Sequence, residues 1–216
     1  MAALTLALFL TQQPDFEPLY RQALEQRRGT PRENESARDL ALYLAHRGEF
    51  AKAAPFLRQT LSAPAETLPE AAALHNWAVH LEESDPDSAA ALYRRALAVR
   101  EKLLPPLDAE LATTRLNLAA LDLEKGEPLA RQALAAFEKT LGPRHERTAA
   151  ACGTLAATLA VKGDIVSAER LFRRALAIKE TPEALENLAD LLSQTGREAA
   201  ARPLLDRAKA IRARAR

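Results

Sequence analysis

Four histidines, His46, His75, His80 and His145, one cysteine, Cys152, and many carboxylates are the residues here that could carry acid–base, nucleophilic or metal chemistry. Their spacing supports none of it. His75 and His80 are five residues apart, about 140° from a shared helix face, whereas an imidazole pair gripping one metal from a helix is separated by four. His145 stands in the segment GPRHE, where capping or turn packing is the expected role. Cys152 has no histidine near it in sequence, and the chain shows no Ser-His-Asp order and no Gly-rich phosphate loop. The carboxylates alternate with Arg and Lys, as in solvated helix pairs worth roughly 0.2–0.5 kcal/mol each. Neither enzymatic activity nor a cofactor or metal is expected.

A different polar feature recurs. Asn76 opens NWAVHL, Asn117 opens NLAALDLEKG and Asn187 opens NLADLLSQTG, with Thr154 in TLAATLAVKG and Asp39 in the same register. A carboxamide both donates and accepts, so it can pair with the backbone amide of an extended peptide whatever that peptide's side chains. Asn is mildly disfavoured inside helices, so its return in three places asks for a reason. Peptide binding is one; fixing the packing between neighbouring helices is the other.

The elements that position these residues are helices. Of 216 residues, aromatics make up 5 % and glycines number 7, while Ala, Leu, Glu and Arg dominate, a composition suited to long helices in close contact. The segments AALYRRALAVREKLL from Ala90, ARQALAAFEKTL from Ala130 and AERLFRRALAIKE from Ala168 share one pattern, and each follows one of the Asn or Thr stretches. Two helices per unit are implied. From Asp39 through Asn76, Asn117 and Thr154 to Asn187 the spacings are 37, 41, 37 and 33 residues. Gly48, Gly126, Gly163 and Gly196, with Asp85 in the second unit, fall nine residues after the recurring position. They are expected to end each first helix in a left-handed residue. Small residues follow at Ala53, Ala168 and Ala201 to admit close helix approach; Leu57, Tyr93, Phe172 and Leu205, then Thr60, Ala96, Ala175 and Ala208, form the apolar stripe. Pro105, Pro106 and Pro143 stop helices in the longer units. The second unit is one residue short around SDPD, and the third reaches EPLARQAL about five residues early. That second helix should start late, or its turn be compressed.

With the period and motifs in hand, the chain resembles the tetratricopeptide (TPR) repeat family. The form ALYRRALAVREKLL-PP…LATTRLNLAAL resembles the long repeat of the kinesin light chain family. The resemblance implies an all-α fold, an α-solenoid of about five helix-turn-helix repeats plus a truncated N-terminal unit, coiled as a right-handed superhelix. It also implies that first helices line a concave groove. In TPR domains that clamp a terminal carboxylate, the position of Asp39, Asn76, Asn117, Thr154 and Asn187 carries groove-facing asparagines. Such a clamp further needs cations in its third unit, where this chain has Thr154 and Ala150, so acidic tails are disfavoured. By helical offset from the same position, His75, Val79, Glu83, Ala120, Glu124, Ala157 and Asp190 join the groove candidates. They suit an extended segment of modest hydrophobicity and some basic character.

The expected division is an apolar segment over residues 1–14 and a solenoid over 15–216. MAALTLALFL has the length of a signal-peptide apolar region, yet no cation precedes it and TQQ is a poor cleavage site. A signal remnant, implying export, and a capping helix on a cytoplasmic protein both stand. No run reaches the roughly 18 apolar residues that cross a bilayer, so membrane insertion is not expected. Lys and Arg total 30 against 29 for Asp and Glu; the net field gives phosphate backbones no long-range pull, and no nucleic-acid role is expected. The expected function is a protein-interaction scaffold gripping a peptide in its groove. The alternative is a structural subunit that self-associates through its ends, with Leu4, Leu6, Leu8, Phe9 and Leu10 as candidate contacts. The basic C-terminal run DRAKAIRARAR reads as a solvated cap, its cations well placed at a helix C-terminus.

Overall fold

In the computed structural model, residues 15–30, 32–60 and 67–214 are described, with all their side chains except those of residues 34, 45, 46 and 57–60. The expectations for Met1 to Leu10, for the His46 side chain, and for Leu57 and Thr60 in the apolar stripe lie outside the described residues. Eleven helices and no strand occur among the described residues. They are α1 (Glu17–Arg27), α2 (Glu33–His46), α3 (Phe50–Thr60), α4 (Leu68–Leu81), α5 (Pro86–Leu103) and α6 (Ala109–Leu121), followed by α7 (Glu127–Thr140), α8 (Glu146–Val161), α9 (Ile165–Ile178), α10 (Pro182–Gln194) and α11 (Glu198–Arg214).

Local chemistry sets the helix starts. Thr67 and Glu70 form a reciprocal capping box at α4, and Asp85, Asp108, His145, Asp164 and Thr181 each accept a backbone N–H from the first turn of the next helix. Each cap satisfies donors that the helix start leaves without a partner. Left-handed glycines end several helices: Gly48, Gly163 and Gly196 have φ of 75°, 84° and 73°.

The helices pair as five hairpins, α2/α3, α4/α5, α6/α7, α8/α9 and α10/α11, with α1 packed on α2 ahead of them. First helices also touch the next unit's first helix, α2 to α4, α6 to α8 and α8 to α10. The result is a solenoid whose burial runs from neighbour to neighbour. Close approach rests on small residues: Ala41, Ala78, Ala119, Ala156 and Ala189 on the first helices, and Ala53, Ala89, Ala168 and Ala201 on the second, are all fully buried or nearly so.

Two turns differ from expectation. Gly126 has φ −72° and is buried, and a Cβ there would lie 2.4 Å from the Ala119 carbonyl oxygen and 2.8 Å from its Cα. It therefore occupies the close-approach position of its unit, equivalent to Ala168, and not the turn position. The five-residue shortfall is met by ending α6 early, at Leu121, and beginning α7 directly after Gly126. Asp85 is not left-handed either, with φ −152°; it caps α5 through Ser88 N–H, and the following Pro86 holds it out of the helical region.

The buried apolar residues divide into two cores that meet on opposite sides of α6. Leu111 and Leu118 join the core built on α2, α4 and α5, while Ala112, Leu116 and Ala119 join the core of α7 to α11. Along the surface, Glu17 and Glu127 at the starts of α1 and α7, and Glu169 one turn into α9, hold equivalent places. Each pairs with an arginine one turn on (Arg21, Arg131, Arg173) and with a cation of the following unit (Lys52, Lys162, Arg197).

Candidate functional site

The first helices decide what the array can hold. Counting three residues on from each recurring position gives Val79, Ala120, Ala157 and Asp190, and seven on gives Glu83, Glu124, Val161 and Gln194. In α8 and α10 the two sets lie one turn apart and share a face; α4 and α6 end at Leu81 and Leu121, so Glu83 and Glu124 lie in the turns that follow them. Val79 is 47 % and Val161 53 % exposed, and Glu83, Ala120, Glu124 and Asp190 are exposed as well. Val79, Ala120 and Asp190 therefore stand on the open surface of the first helices, with Ala157 half-buried among them.

The recurring position itself is not uniform. Asn76 and Asn187 are exposed, and Thr154 is half-buried. Asn117 is engaged: its Nδ2 donates to the Tyr93 hydroxyl of α5 at 3.0 Å, and that hydroxyl donates to Glu82 Oε1 at 2.5 Å. At Asn117 the geometry favours the packing role. Between α8 and α10 lies a depression of about 450 Å³ where Thr154 and Asn187 come together with Ala150, Gly153, Ala184 and the Phe172 ring. The Glu146–Lys179 pair, 2.6 Å apart, stands at its edge. Gly153 is a mid-helix glycine with nothing within 4 Å of where a Cβ would sit.

His75 departs from its expected place in the groove. It is 7 % exposed, its ring meets Tyr93 edge-on at 5.1 Å, and its Nδ1 lies 3.3 Å from Thr114 Oγ1 on α6. Arg100, itself buried, reaches from α5 to donate to Thr114 Oγ1 and, at 2.8 Å, to the Glu110 carbonyl. Burial first, and the Arg100 charge second, hold the His75 imidazole down at about 4. His75 is thus a neutral buried group that ties α4 to α6. The offset that placed it on the open face is right for an isolated helix; Tyr93 and Arg100, arriving from α5, cover it.

The remaining chemistry-bearing residues are occupied structurally. His80 stacks on Phe50 with ring centres 4.7 Å apart, and His145 Nδ1 accepts from Arg147 N–H at 3.1 Å as a helix cap. Cys152 is fully buried, which raises its thiol pKa and so disfavours the nucleophilic thiolate. Among the described residues no group of three or more His, Cys, Asp or Glu is placed to hold a metal, and no helix is long and apolar enough to cross a membrane.

One feature of this face was hidden from sequence reasoning by the near-zero total charge. The five first helices carry nine acidic residues and only three Lys or Arg, namely Arg38, Arg115 and Arg147. The five second helices and α1 together carry eighteen Lys or Arg against nine Asp or Glu. Counting charge by helix class, once the units are aligned, would have found it.

Models of the tetratricopeptide repeat family match residues 121–181 and 183–215. No curated protein matches the sequence. Among solved structures, BtubC (BKLC) from P. vanneervenii is 23 % identical, with 94 % of this chain and 91 % of that one covered at a TM-score of 0.62. A putative kinesin light chain from Podosopora anserina with nearly identical TPR-like repeats is 21 % identical, with 87 % and 99 % covered and a TM-score of 0.60. MamA from Desulfovibrio magneticus RS-1 is 12 % identical, with 83 % and 94 % covered and a TM-score of 0.58. At these identities the likeness is one of fold. Residues 121–181 and 183–215 match tetratricopeptide repeats, and over most of its length the chain is similar in fold to kinesin light chain-like repeat structures.

Proposed function

We propose that the chain is a protein-interaction scaffold that takes an extended peptide segment along its first-helix face. The observation that supports this most directly is the depression between α8 and α10. Its volume of about 450 Å³ falls within the range of ligand sites, and it joins an apolar floor of Ala150, Ala184 and Phe172 to the hydrogen-bonding groups of Thr154 and Asn187. Gly153 supports the same reading: glycine inside a helix costs about 0.5–1 kcal/mol relative to alanine, and no packing contact at this one requires it. Its lack of a side chain leaves room for a ligand. Asn76, Glu83, Asp190 and their neighbours extend the surface along the array. Affinity capture from native extract with the wild type and with Ala150→Trp, which fills the depression from an exposed helix position, tests the reading. A protein partner retained by the wild type and lost by the variant is the expected result, and equal retention would refute it.

A second reading, self-association as a structural subunit, is favoured by one observation at the N-terminal end. Helix α1 buries no residue, and Phe16 and Leu19 are 43 % and 60 % exposed. Exposed apolar side chains of this size invite burial against another surface. Light scattering of the full chain beside one lacking residues 1–13 separates the readings: a concentration-dependent rise in mass, changed by the truncation, would favour assembly.

A further inference from the structure

Charge is segregated between the two helix classes, and most first-helix carboxylates, Glu70, Glu110, Glu146, Glu183 and Glu186, are held by cations. Each of the three first-helix arginines is already committed, Arg38 to Glu70 at 2.8 Å, Arg115 to Glu101 at 3.1 Å and Arg147 to Glu110 at 3.8 Å. The carboxylates Asp39, Glu83, Glu124 and Asp190, which belong to four different units, are all exposed and have no ion pair among the described residues. By contrast, Glu17 on α1 and Glu127 and Glu169 on the second helices each hold two cations. Helix α8 breaks the acidic series. Its first turn carries Glu146 and Arg147, paired with Lys179 and Glu110, and beyond them its open face presents Ala150, Gly153, Thr154, Ala157 and Val161 without a charge.

We infer that the occupant of this face is a cationic protein segment, with Lys or Arg residues on both sides of a short apolar stretch that lies over α8. This rests on the peptide-groove reading and adds to it the chemistry and the order of the partner's side chains. Negative groups without ion pairs favour an incoming positive charge, and a segment of Asp and Glu would add like charge to a face whose three arginines are, among the described residues, already paired. The spacing is compatible with an extended strand. Packed helices stand about 8–10 Å apart and an extended chain advances about 3.3 Å per residue, so about three partner residues span each unit. An apolar triplet over α8 then leaves cations over Glu83 and Glu124 on one side and Asp190 on the other.

The probe is a fluorescently labelled synthetic peptide with two arginines on each side of an Ala-Val-Ala centre, set beside a counterpart bearing glutamates in place of the arginines. Fluorescence anisotropy is read with the wild type, with the double variant Glu83→Gln and Glu124→Gln, with Asp190→Asn, and with Ala150→Trp. The cationic peptide is expected to bind, more weakly as salt rises, and the glutamate peptide to bind at least about tenfold less well. The double variant is expected to bind the cationic peptide about fivefold less tightly, since each exposed pair contributes modestly. No binding of the cationic peptide overturns the inference. So does equal binding of both peptides. If that charge-blind binding is still lost in Ala150→Trp, the groove reading survives while the cationic partner does not; if Ala150→Trp binds like the wild type, the groove reading falls as well. Circular dichroism of each variant confirms the fold. Self-association of the chain that the carboxylate variants abolish would identify a second copy, with its cation-rich second helices, as the occupant and would also overturn the peptide inference.

Discussion

Acid should loosen the array at one residue. His75 is neutral when folded, with the imidazole at about 4 against an ordinary value of 6.5. An unfolded chain takes up a proton below that ordinary value and the folded chain does not, so the stability this group contributes is complete well above it. It is lost progressively as the pH falls, until the folded imidazole also titrates. Between about pH 7.5 and pH 5 the linkage amounts to about 2 kcal/mol, and it levels off at about 3 kcal/mol below pH 4. The Arg100 charge acts in the same sense as burial, its guanidinium donating to the Thr114 hydroxyl that faces Nδ1. Urea unfolding followed by the fluorescence of Trp77, the single tryptophan, reads the right place, because Trp77 is buried on the same helix. His75→Asn keeps a polar group toward Thr114 and removes the titration. The wild type should lose about 2 kcal/mol between the two pH values and the variant about 0.5 kcal/mol or less. Equal losses in the two proteins would refute the assignment of acid sensitivity to this imidazole.

Two glycine-to-alanine substitutions should have opposite signs in thermal or urea melts. Gly126→Ala drives a Cβ into the α6 backbone and should cost about 1–3 kcal/mol, whereas Gly153→Ala, on open α8, should gain about 0.5–1 kcal/mol and weaken partner capture by narrowing the depression. The recurring asparagines should also divide. Asn117→Ala removes the bond to Tyr93 and should cost about 1 kcal/mol, while exposed Asn76→Ala should leave the unfolding midpoint within about 0.5 kcal/mol. Glu169→Gln, which weakens pairing with Arg173 and Arg197 at the surface, should change stability by less than about 1 kcal/mol, with the difference shrinking in high salt.

The period, the two-helix unit and most of the buried stripe were legible because they depend on local spacing. Tyr93, Phe172 and Ala175 are buried where a helical stripe puts them. Gly126 misled because a glycine near the end of a first helix has two uses, left-handed turning and close approach, and only the contact with Ala119 distinguishes them. His75 misled for a related reason: its cover comes from residues 18 and 25 positions later in the chain, Tyr93 and Arg100, which helical offset alone does not include. The acidic character of the first helices went unseen because it is balanced, in the chain total, by the cations of the second. Arg207 pairs with Glu180, and Arg212 with Glu183 and Glu186, so these cations fasten α11 to residues of the preceding segment.

Helix α6 serves as a party wall between two rooms, sharing leucines with one side and mostly alanines with the other. Damage therefore propagates differently in the two directions: a hole cut at Phe172 should speed amide exchange throughout α7 to α11 and leave the amides of α4 and α5 protected.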